Sequence, residues 1–450
     1  MANSFAYFSI AVWPIFIIIF FKIFELRKAI IISVFVSYLF LPASFEINFP
    51  GIPAFNKNTT TTVLLFIILV FFKDGLGLNE LNIKAKFILF LYVISAFVTA
   101  TQNDTAYLHL PAISLYDGLS QSVGKFLIFI PFLIGAKYFN RFEDQKLLFK
   151  SLVVACIVYL PFMLYEIRMS PQLHTMLYGF FPHSFAQQMR ADGFRPVVFL
   201  GHGLLVAFFV SICSIAMYSI IRSKLKIFKI NNFLLMFSFV VVLIMTKTYS
   251  ALIYFSLAFL TLTFFKPRMI GVVSLLVVAI YIAYPVLSAN NAFPHESIVK
   301  VVENVDNDRA QSLDFRFYHE GKLLFHANQK PFFGWGSWGR NRVYDPETFE
   351  DLSVTDGRWI IVLGISGWFG FLTEFFFIFI SIILAVKVIR KENIISSEER
   401  AFLTGHLFMV LVILIDQIPN ASLNYFYWFI VGGLYGISKR KLECFYSSNQ

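Results

Sequence analysis

Apolar runs of about twenty residues recur along the whole of this chain, divided by short connectors that are alternately basic and not basic. A helix needs roughly 20 apolar residues to cross the hydrocarbon core of a bilayer. Helices suit that solvent because each backbone N–H and C=O is satisfied inside its own segment. The runs at 5–21, 29–45, 60–72, 87–100, 119–136, 151–167, 197–221, 232–246, 249–265, 269–287, 359–386, 401–418 and 423–438 predict an all-α polytopic membrane protein of 12–13 spanning helices. Composition agrees, because only 14% of the residues are charged, where a soluble domain carries about 25%. The first run has no basic flank before it and no small-residue cleavage site after it, so it reads as a retained span and not a signal peptide. No separate soluble domain is expected.

The net charge of +10 would suit a nucleic-acid partner, but its distribution does not. It falls in the connectors, where it makes no stripe, and the positive-inside rule accounts for it. Lys22/Arg27/Lys28, Lys73/Lys84/Lys86, Lys137/Arg141/Lys146/Lys150, Arg222/Lys224/Lys226/Lys229, Lys266/Arg268, Lys387/Arg390/Lys391/Arg400 and Lys439/Arg440/Lys441 all fall on one side. That side, with the C-terminus, is predicted to be cytoplasmic. The connectors 46–59, 101–118, 168–196, 288–357 and 419–422 then face outward, and the large loop 288–357 precedes the last three spans. Cys156, Cys213 and Cys444 are scattered and suggest neither a disulfide frame nor a thiolate metal site.

Ionisable groups inside apolar runs are expensive and mark candidate function. Lys125, Glu166, Arg168, Lys247 and Asp416 all fall toward the outer ends of their runs, and Glu374 alone falls near the middle. An ion transporter would place such groups at the midplane, although residues near helix ends also snorkel to water. Within the large loop, 312–328 has Leu313, Phe317, Leu324 and Phe325 at near-helical spacing, with Arg316, His319 and Glu320 on the other face. This predicts an amphipathic surface helix in which Arg316 and Glu320 could pair at i,i+4. The following Pro331-Phe332-Phe333-Gly334-Trp335-Gly336-Ser337-Trp338-Gly339-Arg340 is rich in glycine and aromatics, which permit close backbone approach and stacking on sugar rings. Gly364, Gly367 and Gly370 open the next span and allow close helix packing or a broken helix. His295, His319 and His326 fit no standard zinc spacing, and there is no P-loop, dinucleotide glycine pattern or nucleophile elbow.

Taken with the topology, these segments resemble the O-antigen ligase/polymerase superfamily of bacterial inner-membrane proteins. Arg316 followed by Pro331 to Gly336 is similar to that family's arginine and Pro-x-x-Gly-x-Gly. Asp356-Gly357-Arg358-Trp359, running on through Leu363 and Gly367 to Gly370, matches in spacing a segment that begins His-Asn-x-Tyr in the ligases. Asp192-Gly193-Phe194-Arg195-Pro196, with His202 behind it, resembles an arginine-bearing outer-loop segment, and Arg190 and Gly201 have a spacing described for polymerases. Thr248-Tyr249-Ser250-Ala251 is a weaker match. Asp356 stands where the ligases carry a catalytic histidine, and the second long loop lacks the paired arginine–glycine spacing.

The resemblance implies a metal-independent glycosyltransferase of the GT-C class, without a cofactor, acting on undecaprenyl-diphosphate-linked glycans at the outer face of the membrane. It favours a polymerase of O-antigen, capsule or exopolysaccharide over a ligase. A non-enzymatic flippase is the alternative from another class, and a flippase or a chain-length regulator is an expected partner. Asp356, Arg316 and His202 are the expected catalytic residues, with His319 a further possible base. Arg190, Arg195, Lys247, Arg358 and Lys125 are expected to hold the diphosphate, with Trp335, Trp338 and Trp359 against the glycan.

Overall fold

The computed structural model describes residues 2–48, 53–190, 193–226, 230–304, 306–391 and 394–447, so Asp192 and Lys229 lie outside the described residues. Thirteen apolar helices coincide with the thirteen runs. They are α1 (Ser4–Ile23), α2 (Leu26–Phe40), α3 (Lys57–Phe72), α4 (Ile83–Thr101), α5 (Leu115–Tyr138), α6 (Phe142–Met169), α8 (Gly203–Arg222), α9 (Asn232–Met245), α10 (Tyr249–Phe264), α11 (Pro267–Ala289), α14 (Arg358–Arg390), α15 (Ser397–Asp416) and α16 (Tyr425–Ser447). Three more helices lie in the long loops: α7 (Leu173–Tyr178), α12 (His295–Glu303) and α13 (Asn307–Ala327). A two-stranded antiparallel hairpin joins β1 (Met189–Arg190) to β2 (Gly193–Phe194). Seven of the helices are long and apolar enough to cross a membrane, and α3, α9 and α10 are shorter apolar helices. The protein is an all-α polytopic membrane fold.

Contacts between connectors sort the two ends of the bundle. At one end Arg27 pairs with Asp144 (2.7 Å), Lys439 with Glu80 (3.5 Å), Lys146 with Glu398 (3.3 Å) and Lys441 with Glu399. The basic connectors thus gather together and are partly balanced there. The long loops meet at the opposite end, where Arg340 donates to the Thr105 carbonyl (2.8 Å) and the Ala43 N–H donates to His174 Nε2 (3.2 Å). The run at 197–221 becomes helical only at Gly203. Before that point, the Val197 and Val198 N–H groups donate to Glu166 Oε2 (2.7 Å each), while Leu173 N–H donates to Oε1 (2.8 Å). The Glu166 carboxyl therefore accepts from backbone groups that a continuous helix would have satisfied internally.

The decisive feature is a break in α14 at Gly367, whose backbone angles (φ 63°, ψ −168°) are open only to glycine. Arg358 Nε lies 2.9 Å from Glu374 Oε1. In a continuous helix these positions would be about 24 Å apart along the axis, beyond the reach of both side chains, so the arms 358–366 and 368–390 fold back on each other. The break leaves backbone groups of both arms without intrahelical partners, and the loop 331–336 supplies them. Trp335 and Gly336 N–H donate to the carbonyls of Gly364 (2.8 Å) and Ile365 (2.9 Å), while Trp368 and Phe369 N–H donate to Pro331 (2.7 Å) and Phe332 (3.1 Å). A Cβ at Gly367 would lie 2.3 Å from the Phe332 carbonyl.

Gly367→Ala combines a forbidden backbone conformation with that clash, and is expected to destabilise the fold by more than about 3 kcal/mol. Gly321→Ala, within α13 and facing open space, is expected to be neutral or stabilising by up to about 1 kcal/mol. Thermal unfolding of the detergent-solubilised chains checks both, and equal melting temperatures for the two variants would contradict the clamp.

Candidate functional site

The site is built where the two long loops meet. α13 starts at Asp306, whose side chain accepts from Arg309 N–H (3.1 Å), and so runs five residues further back than the apolar pattern suggested. Arg309 and Arg316, two helical turns apart, share one face of it. Across from them, the β1–β2 hairpin presents Arg190, and the segment behind it presents Arg195. These four arginines line one cavity of about 470 Å³, with His183, His202, Asp356 and Asp416. Arg316 Nε is 3.3 Å from Asp356 Oδ2 and a second nitrogen donates to the Pro419 carbonyl (3.4 Å). Arg195 is only 4% exposed, and the Nε atoms of Arg190 and Arg195 are buried with no hydrogen-bond partner among the described residues. Burial and the neighbouring Arg190, Arg309 and Arg316 push Arg195 down to about 10, which still leaves it a cation at neutral pH. Four guanidiniums facing two carboxylates form an anion-attracting concavity, and planar Arg forks suit phosphate or carboxylate oxygens.

A second cavity, of about 270 Å³, adjoins the first and shares Arg316, Val354 and Asp356 with it. Its lining is largely apolar, with Tyr254, Ile280, Phe317 and Ile415 among its walls. Here α10 and α11, consecutive in the chain, each pack on α15. Leu313 and Phe317 fulfil the amphipathic pattern by facing this cavity, whereas Phe325 is exposed. Glu320 does not pair with Arg316. Its Oε1 accepts from Tyr284 (2.8 Å) and Ser288 (3.1 Å), and His295 Nε2 lies 4.0 Å away. Burial in the apolar wall pushes this carboxyl up to about 7, against the opposing effect of those two hydrogen bonds.

The structure thus brings together Arg190, Arg195, His202, Arg316 and Asp356. His202 is the N-cap of α8, its Nδ1 accepting from Leu204 N–H (3.0 Å). Burial, then His183 and the arginines, push it down to about 4, so it is neutral, with its basic nitrogen already engaged. Lys247 braces the site from behind: its Nζ donates to the Arg190 carbonyl (3.0 Å) and its own carbonyl accepts from Arg195 (3.3 Å).

Five expected ligand residues stand elsewhere. Lys125, on α5, donates to Ser95 Oγ (2.7 Å) and to Ser366 Oγ (3.1 Å) of the broken helix, and Arg358 is held by Glu374, so both brace that helix. Trp335 is 7% exposed, stacked on His326 (4.3 Å) with its indole N–H on the His326 carbonyl (2.8 Å). Trp338 is exposed but lines neither cavity. Trp359 is buried against Tyr284, and His319 packs on Phe315. Asp416, one of the ionisable groups noted in the apolar runs, also lines the site, and Arg309 enters it without having been expected. Asp306 as a helix cap was the available signal for Arg309, because it places Arg309 in register with Arg316. The chain matches neither any protein-family model nor any curated protein.

Folding raises the Glu320 pKa from 4.5 to about 7. The favourable contribution of its neutral form is therefore complete below pH 4.5 and is lost as the pH rises through about 7. Melting temperatures should fall across that window, and Glu320→Gln should flatten the fall. An unchanged slope in Glu320→Gln would show that another group is responsible.

Proposed function

We propose that this protein is a glycosyltransferase that polymerises lipid-linked oligosaccharide repeat units, transferring a growing glycan from one polyprenyl diphosphate carrier to a repeat unit on another. The observation that carries this reading is the joined pair of cavities. One is lined by Arg190, Arg195, Arg309 and Arg316, and the other is apolar, with Arg316 and Asp356 in their common wall. An amphiphile with an anionic diphosphate head and an isoprenoid tail matches that pairing, as does the resemblance to the O-antigen ligase/polymerase superfamily. The acceptor hydroxyl attacks the anomeric carbon, the bond from that carbon to the diphosphate oxygen breaks, and the electron pair leaves with the lipid diphosphate. The arginines stabilise the charge developing on it, in a setting partly screened from water. Asp356, on the common wall, takes the hydroxyl proton. The leaving group is already activated, so the chemistry asks for no cofactor. Such a protein works at the outer face of a bacterial inner membrane, with the basic end of the bundle and the C-terminus in the cytoplasm.

The test uses lipid-linked oligosaccharides extracted from source cells that lack this chain. The purified wild type should convert them into a ladder of lengths. Arg316→Ala and Asp356→Asn should slow that conversion at least about 100-fold while remaining folded. A single added unit would indicate a ligase, and full ladders from both variants would remove these residues from the mechanism.

A further inference from the structure

A third cavity, of about 350 Å³, lies at the opposite, basic end of the bundle, between the start of α6, the connector before α15 and the end of α16. Its charged lining is Arg141, Arg440 and Lys441, and its apolar lining includes Phe142, Ile394 and Ile437. Lys441 is engaged by Glu399. Arg141 and Arg440 have no carboxylate within ion-pair distance among the described residues, and Arg440 reaches only the amide oxygen of Asn140 (3.3 Å). The nearby Asp144 is already taken by Arg27 at 2.7 Å. These two exposed arginines thus have no carboxylate inside ion-pair distance among the described residues, although both feel the more distant charge of Asp144. They line a cavity together with apolar side chains, between helices of a membrane fold, on the side where the basic connectors gather. Scattered basic side chains on a solvated face would have no such apolar lining.

We propose that this cavity binds the phosphate of an anionic bilayer lipid, with Arg141 and Arg440 on the phosphate oxygens and the glycerol and upper acyl chain against Phe142, Ile394 and Ile437. Arginine forks suit phosphate oxygens, and basic pockets between spanning helices are where lipid head groups are recognised. The site is separate from the arginine cavity and does not depend on the glycosyl-transfer reading.

The test measures lipid retained by the full-length chain, by native mass spectrometry after release from nanodiscs of phosphatidylcholine with or without phosphatidylglycerol. The wild type should retain phosphatidylglycerol in preference to phosphatidylcholine. Arg141→Gln with Arg440→Gln should weaken that retention by roughly 10- to 30-fold. Lys84→Gln with Lys86→Gln, which removes the same charge from exposed positions at the same end, should leave it unchanged. Each arginine variant made singly should show part of the loss, which keeps the comparison available if the double variant does not fold. A second arm adds inorganic phosphate to the detergent-solubilised chain. Equal weakening by the arginine and lysine pairs would overturn the site, as would the absence of any preference among lipids in the wild type. Phosphate binding that needs Arg141 and Arg440, without any lipid preference, would overturn the lipid as its source.

Discussion

The hydrogen bonds that cross the break at Gly367 hold the upper half of this molecule together. Inside a bilayer-spanning fold, a helix cannot simply stop, because its terminal N–H and C=O groups have no water to turn to. Here the Pro331–Gly336 backbone meets both arms of the broken helix, and this ties the large loop to α14. α13 leads into that loop and carries Arg309 and Arg316. At its far end the first arm docks on the turn after α15, with Arg358 N–H donating to the Asn420 carbonyl (3.0 Å). Asp356, two residues earlier, is thereby set against Arg316. One glycine with a positive φ, and the loop that accepts its consequences, position both sides of the ion pair in the wall between the two cavities.

Charge is distributed in two layers around this frame. Glu374 is buried beside the break, with Lys125 and Arg358 half-buried around it, and all three find their partners within the bundle. Removing one member of such a group strands the others in a low-dielectric setting, which is why they read as architecture. The arginines of the loop cavity differ, because buried Nε atoms of Arg190 and Arg195 have no hydrogen-bond partner among the described residues. Buried guanidinium nitrogens with nothing to donate to are costly, and an anion in the cavity would relieve that cost.

Much of the architecture was legible before any coordinates. Every apolar run holds a helix, and the basic connectors do meet at one end. The glycine–aromatic stretch was legible as a close-approach element, but its partner was not. Glycine beside Trp335 reads the same whether the backbone approaches a sugar or another backbone, and only the hydrogen bonds to Gly364 and Ile365 decide between them. Lys125 and Arg358 misled for a related reason. A charge in an apolar run signals that a partner exists, without saying whether the partner is a ligand or Glu374. His202 looked available as a base until its Nδ1 was found capping α8.

Hydropathy and charge asymmetry are local properties of short windows, and a bilayer accepts almost any apolar residue in a span. The amino-acid sequence by itself therefore determined the membrane class, the helices and the segregation of positive charge. Which polar groups meet is not local. Arg316 and Asp356 are forty positions apart, and Arg190 comes from another loop altogether. Their meeting depends on the angle at one glycine and on backbone hydrogen bonds between distant segments, and the tertiary structure alone decided it.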